Sequence, residues 1–240
     1  MAAIDSSSRA SSWTRRGVLA CGAASALGLA APGARAAEGE PTTAGEDEDW
    51  VSPPEDLMRE HGVLDRLLLI YEACAARQPA GESSGDVLAG AAGLVRRFIE
   101  DYHEKLEEEH VFPRFEKAGK LVDLVVVLRE QHRQGRRLTG DVTRLAHARS
   151  DADRQGLTGA IAAFVRMYRP HAAREDTVLF PAFRDVVGAN EFHELGERFE
   201  DEEHHLFGRA GFTGVVEEVA ALERKLGIED LKQFTPSGQR

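Results

Sequence analysis

The sequence predicts an all-α protein, an up-down-up-down bundle of four helices followed by a C-terminal helical extension. Four stretches of the chain carry apolar residues at alternating steps of three and four, which is the spacing of one buried helical face. Short polar breaks separate these stretches, as expected for antiparallel neighbours in a bundle. No segment of useful length alternates apolar and polar residues, so no sheet is predicted.

Length and composition fit one domain with additions and exclude several classes of protein. The chain has 240 residues, of which 42% are hydrophobic and 30% are charged, so it can bury a core. Its formal net charge of −11 argues against binding of nucleic acid or an anionic membrane surface, which needs clustered Lys and Arg. The cysteines are Cys21 and Cys74, so neither a disulfide framework nor a thiolate zinc site is predicted.

Residues 1–36 have the pattern of an export signal. The pair Arg15-Arg16 precedes an Ala-, Gly- and Leu-rich run, and the small-x-small segment 34–36 supplies a cleavage site. The run is too short and too rich in glycine to span a membrane, and the paired arginines resemble a bacterial twin-arginine signal. A lipoprotein signal ending at Cys21 is the alternative, but almost no apolar segment precedes that cysteine. We therefore predict a periplasmic bacterial protein that is not inserted in the membrane after signal removal.

Residues 37–53 form an acidic linker, and the predicted bundle occupies residues 54–188. Ser52-Pro53-Pro54-Glu55 is typical of a helix start, with a serine cap, proline in the first turn and glutamate after it. The four apolar stripes cover residues 57–71, 88–106, 121–142 and 157–178, and each contains one histidine: His61, His103, His132 and His171.

These four histidines are predicted to lie at one height in the bundle. Counted from each histidine to the intervening turn, neighbouring helices have about 16 and 17 residues, then about 13 and 12, then about 17 and 17, at 1.5 Å rise per residue. A single histidine on an apolar face is usually an ordinary core residue. Four at the same height favour a functional site.

An internal repeat adds carboxylates to the histidines. His103 and Glu107 are followed by Phe-Pro-x-Phe at 112–115, and His171 and Glu175 are followed by the same motif at 180–183. Residues i and i+4 are neighbours on one helical face, so each repeat can direct a nitrogen and a carboxylate to a common centre. Buried carboxylates without partners are costly, and a pair of divalent cations would satisfy the cluster.

The order His, His-x-x-x-Glu, His, His-x-x-x-Glu, with Phe-Pro after each glutamate, resembles the hemerythrin-like family of cation-binding bundles over about residues 55–183. This resemblance implies a bundle of the hemerythrin type with two non-haem iron ions (Fe²⁺/Fe³⁺). The implied terminal ligands are His61, His103, His132 and His171, and the implied bridging ligands are Glu107 and Glu175. Glu104 matches an additional carboxylate of some family members.

The chain departs from the oxygen-carrying members of that family at two positions. Those members have a further histidine four residues after the one on the third helix, where this chain has Arg136. Their last carboxylate follows the fourth-helix histidine by five residues, which would make Asp176 the ligand. The +4 spacing shared by both repeats favours Glu175, and Asp176 stays the alternative.

The resemblance predicts a non-haem diiron protein that binds or reduces a small oxidant (O₂, NO or H₂O₂), with an electron donor as a further partner. Imidazole and carboxylate ligands inside a bundle suit iron, and fewer histidines than in an oxygen carrier would favour the ferric state. Two alternatives stay open: a reversible O₂ or NO carrier or sensor without turnover, and an iron-storing or structural metal module.

Residues 189–240 are predicted to form a helical extension that packs on the bundle through five apolar residues: Phe199, Leu206, Phe212, Val215 and Val216. Its acidic and histidine-rich stretch 200–205 is interpreted as a solvated helix face in preference to a second metal site. Of the histidines outside the stripes, His110 is predicted to support the site or the core, and His147 and His193 to lie on the surface.

Overall fold

The computed structural model describes residues 51–78 and 84–236, and every regular element in these ranges is helical. The all-α fold is therefore confirmed for this part of the chain. The predicted signal at 1–36 lies outside the described residues, as does the predicted linker up to residue 50. Among the helices that the structure describes, none is long and apolar enough to cross a membrane.

Four helices form the bundle, and we number them in chain order. They are α1, Pro53–Arg77; α2, residues 85–118; α3, Val122–Leu145; and α4, residues 151–185. Helix α2 contains the π-helical segments Val95–His103 and Glu107–Val111, and α4 contains the π-helical segment Glu175–Leu179 before a final 3₁₀ segment, Phe180–Asp185. The extension consists of α5, Ala189–Phe207, and α6, Gly211–Leu226, followed by a 3₁₀ turn at Leu231–Phe234.

Each bundle helix packs against two others, α1 and α3 each lying between α2 and α4. Helix α1 begins at Pro53 after Ser52, as predicted, although the Ser52 side chain makes no capping hydrogen bond. Helix α3 ends at Leu145 and α4 begins with Asp151, whereas the residue counts from the histidines predict an end near Arg149 and a start near Arg154. The Ser150 hydroxyl fixes the start of α4, because it accepts a hydrogen bond from the backbone N–H of Asp153.

The extension covers one side of the bundle: α6 packs against α1 and α2, and α5 packs against α6 and α1. Phe199 and Val215 are buried, as predicted. The prediction for Leu206 is wrong, because this side chain is 54% exposed. Its neighbour Phe207 packs instead, with its ring centroid 5.4 Å from that of Phe98 in α2. Successive side chains on a helix point about 100° apart, so a one-residue error in the predicted helix phase is enough to assign burial to Leu206 when Phe207 is the residue that packs.

Two of the π-helical segments, Glu107–Val111 and Glu175–Leu179, lie directly before the repeated Phe-Pro motifs. The N–H of Phe112 donates to the carbonyl of Glu107, five residues earlier, and the N–H of Phe180 donates in the same way to Glu175. Each following proline has no N–H and would crowd the carbonyl four residues before it in a regular α-helix. The wider π turn accommodates the proline, and it places both glutamates at the start of such a turn.

Candidate metal centre

The structure brings the six predicted ligand residues together inside the bundle. One histidine comes from each helix, and α2 and α4 add one glutamate each. All six are buried, with at most 3% of any residue exposed: His61, His103, Glu107, His132, His171 and Glu175. Their role as ligands stays a prediction, and the geometry that follows describes the donor atoms they offer.

The imidazoles form two pairs. The ring centroids of His61 and His103 are 4.8 Å apart, and those of His132 and His171 are 5.0 Å apart. In the second pair the Nε2 atoms are separated by 3.3 Å. Each pair therefore presents two nitrogen donors from adjacent helices to one point.

The two glutamates lie between the histidine pairs. Glu107 Oε2 is 3.7 Å from His103 Nε2 and 3.4 Å from His132 Nε2. Glu175 Oε2 is 3.4 Å from His61 Nε2 and 3.1 Å from His171 Nε2. Each carboxylate thus reaches one histidine of each pair.

The protein alone leaves these donors unsatisfied. Both carboxylate oxygens of Glu107 and of Glu175, and the Nε2 atoms of His61 and His103, are buried without a hydrogen-bond partner. Such groups are costly in an apolar interior unless a cation or a donor pairs with them. Buried clusters with metal-ligand spacing include Glu107, His132, His171 and Glu175 in one group and His61, His103 and Glu107 in another. The donor set fits bound metal.

Every one of the four imidazoles is oriented by a side chain from a neighbouring helix. The Nδ1 contacts are with Asp176 for His61 (2.7 Å), Glu60 for His103 (2.6 Å), Glu108 for His132 (2.9 Å) and Gln131 for His171 (2.9 Å). The contacts run round the bundle, from α4 to α1, α1 to α2, α2 to α3 and α3 to α4. A partner at Nδ1 directs the Nε2 lone pair inward, which is the usual arrangement of a metal-binding histidine.

Sequence analysis missed Glu60, Glu108 and Gln131 in this role. Each is adjacent in sequence to a candidate ligand. An acid or amide directly beside a candidate ligand could therefore have been used to predict these supporting residues. Asp176 was predicted as an alternative ligand. The structure places its Oδ1 on His61 Nδ1, and its side chain is 35% exposed. This position favours a supporting role and leaves Glu175 as the inner carboxylate.

Glu104, the predicted additional ligand, is held by two other residues. Its Oε1 accepts a hydrogen bond of 2.5 Å from the Tyr168 hydroxyl, and its Oε2 is 2.8 Å from Arg136 Nη2. The other guanidinium nitrogen, Nη1, is 3.0 Å from Glu108 Oε1. Arg136 therefore links Glu104 to the carboxylate that supports His132.

The Phe-Pro motifs close the two ends of the donor cluster symmetrically. Phe112 stacks on His132 with ring centroids 5.5 Å apart, and Phe180 stacks on His61 at the same distance. The second phenylalanines of the motifs, Phe115 and Phe183, lie 6.1 Å apart. The repeat that was recognised as spacing in the sequence thus shields two of the imidazoles from water.

The remaining histidines lie outside the cluster. His110 is half-buried, packs on Phe199 with centroids 5.8 Å apart, and has its Nε2 3.4 Å from Glu202. It therefore contacts α5 of the extension and supports no candidate ligand. His147 and His193 are exposed, as predicted.

Protonation in the metal-free protein differs between His132 and His61. Burial lowers the pKa of His132 to about 4, against the opposing effect of Glu108, so its imidazole is neutral. Burial also lowers the pKa of His61, but the hydrogen bond to Asp176 and the nearby negative charge of Glu175 outweigh it and raise the pKa to about 9. His61 is therefore protonated at neutral pH, and a metal must displace that proton.

We expect metal affinity to fall as the pH falls below about 9, by up to tenfold per unit for the His61 proton alone. The sign follows from competition, because protons hold His61 more tightly in the metal-free protein at lower pH. Asp176→Asn removes the charge that raises this pKa and should flatten the dependence. Anaerobic Co²⁺ titrations between pH 6.5 and 8.5 measure it, with Asp185→Asn as an exposed control. If Co²⁺ affinity changes with pH by the same slope in Asp176→Asn and in the unaltered protein, then Asp176 does not raise the pKa of His61.

Comparison with known proteins agrees with this geometry. The family model described as hemerythrin HHE cation-binding domain matches residues 52–183, and it matches again, with overlap, at residues 125–235. No solved structure matches the chain. The second match includes the extension helices α5 and α6.

Uncharacterized proteins of Mycobacterium bovis and Mycobacterium tuberculosis are similar to this chain. Each is 54% identical over 204 residues, which is 83% of this chain and 80% of the relative. The first family match spans more than half of the chain and contains all six donor residues of the cluster. The chain belongs to the hemerythrin HHE cation-binding family.

Proposed function

We propose that this chain is a non-haem diiron protein that binds or reduces a small oxidant, O₂, NO or H₂O₂. The observation that carries the proposal is the position of Glu107 and Glu175, each between one histidine of each pair. His61, His103, His132 and His171, together with Glu107 and Glu175, would hold two cations and leave none of these donors unused. Imidazole and carboxylate groups projecting inward from four helices suit iron. Bound iron would supply electrons and an open coordination position for the oxidant.

Arg136 favours reduction of the oxidant over reversible carriage. Oxygen-carrying members of the family have a histidine here, whereas this guanidinium forms ion pairs with Glu104 and Glu108. The site therefore has fewer nitrogen donors and more carboxylate around it, which stabilises ferric iron. An external electron donor would then be needed to return the iron to the ferrous state.

The pair of Tyr168 and Glu104 holds a proton close to the centre. Burial, with the negative charge of Glu104, raises the pKa of Tyr168, so its hydroxyl stays protonated and donates to Glu104. The Tyr168 ring lies 5.4 Å from that of His171. Burial also raises the pKa of Glu104 well above its usual range, so this carboxyl is the group of the pair that could take up and release a proton when O₂ or peroxide is reduced.

Rapid mixing of the ferrous protein with O₂, NO or H₂O₂ tests the function. We expect conversion to a ferric spectrum that persists after the oxidant is removed. A spectrum that returns to the ferrous form when O₂ or NO is removed would identify a reversible carrier. No spectral change with any of the three would contradict the proposal.

Elemental analysis is expected to give about two irons per chain in protein purified from its native compartment, because the donors form two histidine pairs. Partly filled protein should reach the same value after anaerobic Fe²⁺ is added and the excess is removed. Stoichiometric zinc without iron in the purified protein, or saturation at one iron, would contradict two iron positions.

We further propose that the protein is exported in the folded state to the periplasm. The support is the Arg15-Arg16 pair and the segment 34–36. Nitrogen-rich sites generally prefer Cu²⁺ and Zn²⁺ to Fe²⁺, so folding around iron before export would secure the correct metal. Replacing residues 1–36 by a signal that exports unfolded chains should yield periplasmic protein with zinc, copper or no metal. Full iron occupancy of that protein would show that the site selects iron unaided.

A further inference from the structure

A cavity of about 230 Å³ lies between the first turns of α1, the end of α5 and the start of α6. Its lining carries more negative than positive groups, with Asp56, Glu200 and Glu203 against Arg59 and Arg209. It lies on the α1 side of the bundle and is not lined by any of the six candidate metal ligands. The lining of this cavity therefore favours a cation over an anion.

Three carboxylates converge here. One oxygen from each of Asp56, Glu60 and Glu203 lies within 4.8 Å of the other two. Oxygens bound to a single Ca²⁺ at about 2.3–2.6 Å lie up to about 5 Å apart, so one ion can reach all three. Glu60 is fully buried and the Asp56 side chain is 13% exposed. Burial, and after it the charges of Glu60 and Glu203, raises the pKa of Asp56 to about 7, and a bound cation would oppose both effects.

Two buried oxygen atoms without a hydrogen-bond partner of normal geometry lie at this cluster: Glu60 Oε1 and the Tyr102 hydroxyl. Glu60 is one of the three converging carboxylates, and Tyr102 is 1% exposed. The hydroxyl lies beside Glu60, whose charge adds to burial in raising the pKa of Tyr102. Glu60 Oε1 is therefore a buried acceptor that an ion could satisfy.

The position of Glu203 is fixed by the turn between α5 and α6. Its Oε1 accepts a hydrogen bond of 2.9 Å from the N–H of Phe212. Gly211 has φ of +45°, and a Cβ at this position would lie 2.3 Å from the same oxygen. The glycine thus leaves room for the Glu203 carboxylate, which lies close to those of Asp56 and Glu60 in the first turns of α1.

The nearby arginines do not neutralise the cluster. Arg59 Nη1 is 3.6 Å from Asp56 Oδ1, and the arginine side chain is 44% exposed. Its guanidinium lies over the Phe212 ring, 4.6 Å from the centroid. An exposed ion pair of this length contributes little, and Glu60 and Glu203 have no ion pair with either cavity arginine at 4 Å or less among the described residues.

We infer that Asp56, Glu60 and Glu203 form a second cation site, separate from the histidine cluster. All three donors are carboxylate oxygens, and water in the cavity can complete the coordination shell, so the site suits a hard divalent cation such as Ca²⁺, Mg²⁺ or Mn²⁺. The prediction that 200–205 is only a solvated helix face is revised accordingly for Glu203.

The site is connected to the metal centre through one residue. Glu60 Oε2 is the partner of His103 Nδ1 at 2.6 Å. A cation on Glu60 draws negative charge away from this hydrogen bond and makes His103 a weaker donor at Nε2. The second cation would thus hold Glu203 of α5 against Asp56 and Glu60 of α1. It would also lower the affinity of His103 for metal at the histidine cluster.

Calorimetric titration of the purified mature protein with Ca²⁺, Mg²⁺ and Mn²⁺ in separate arms tests the inference. We expect about one equivalent of at least one of these ions to bind, at least tenfold more weakly in Glu203→Gln. Glutamine keeps an acceptor for the N–H of Phe212 but removes the charge. Glu202→Gln, at the adjacent position and outside the cluster, should bind as the unaltered protein does.

Circular dichroism and iron content establish that each variant is folded and loaded. Asp56→Asn, on a different helix, is the second test and should weaken binding by a similar factor. Binding that Glu203→Gln and Asp56→Asn leave unchanged, or no saturable binding of any of the three ions up to 10 mM (on the order of the weakest extracellular calcium sites), would overturn the inference. Either result leaves the diiron proposal standing, because that proposal is decided by iron content and oxidant chemistry.

Discussion

Glu175→Ala is expected to lose most of the bound metal, whereas Asp176→Ala is expected to keep most of it when metal is in excess. Glu175 is fully buried, and its Oε2 lies between His61 Nε2 and His171 Nε2. Its loss would remove a donor shared by both histidine pairs. Asp176 supports His61 through Nδ1 and does not reach the inner cluster, so its loss should weaken metal affinity by about 10–100-fold.

Iron content after anaerobic loading and removal of excess metal measures this difference. Thr177→Ala, on the exposed side of the same π-helical segment, controls for local disturbance of α4. Loss of metal in Asp176→Ala with retention in Glu175→Ala would mean that the ligand set follows the oxygen-carrying pattern instead. Glu107→Ala should behave as Glu175→Ala does, because Glu107 holds the equivalent position in the other repeat.

The inward face of each helix could be predicted from sequence because a period of 3.6 residues determines it. The stripes identified His61, His103, His132 and His171, and the structure places all four in one cluster. The same periodicity does not determine which neighbouring helix a side chain meets. Asp176, for example, supports a histidine 115 positions earlier in the chain.

The contacts of Arg136 also could not be predicted from the sequence pattern. The sequence marked it only as the position where a histidine of oxygen carriers is missing. Its contacts with Glu104 and Glu108 depend on the packing of α2 against α3, which no local pattern encodes. The exchange of Leu206 for Phe207 in the extension has a related cause, since helix phase accumulates error when no internal repeat fixes it.

The Phe-Pro motifs gain a physical explanation from the fold. In sequence they are spacing markers after each glutamate, and in the structure they stack on His132 and His61. They also coincide with the π turns that Glu107 and Glu175 begin. One local motif therefore sets the position of a carboxylate and covers an imidazole of another helix, which accounts for its presence in both halves of the bundle.

Gly135→Ala is expected to destabilise the protein by about 1–3 kcal/mol and to disturb the metal centre, while Gly140→Ala on the same helix is expected to stabilise it by up to ~1 kcal/mol. A Cβ at Gly135 would lie 1.9 Å from the Tyr168 hydroxyl oxygen and 2.7 Å from the ring carbon that carries it. The ring is buried, so it cannot swing out to solvent, and its hydrogen bond to Glu104 would be displaced. A Cβ at Gly140 meets nothing within 4 Å, so alanine there adds only helix propensity.

Thermal unfolding of the two variants measures the contrast, with an expected decrease in Tm of roughly 2–12 °C for Gly135→Ala and a small increase for Gly140→Ala. The visible spectrum of the iron-loaded protein should change only in Gly135→Ala, because Tyr168 and Glu104 lie beside the His132 and His171 pair. Gly135 lies on the buried stripe of α3, where the neighbouring Tyr168 leaves no room for a side chain. If alanine at 135 behaves as alanine at 140 does in both measurements, then Tyr168 has space to move and does not hold Glu104 in place.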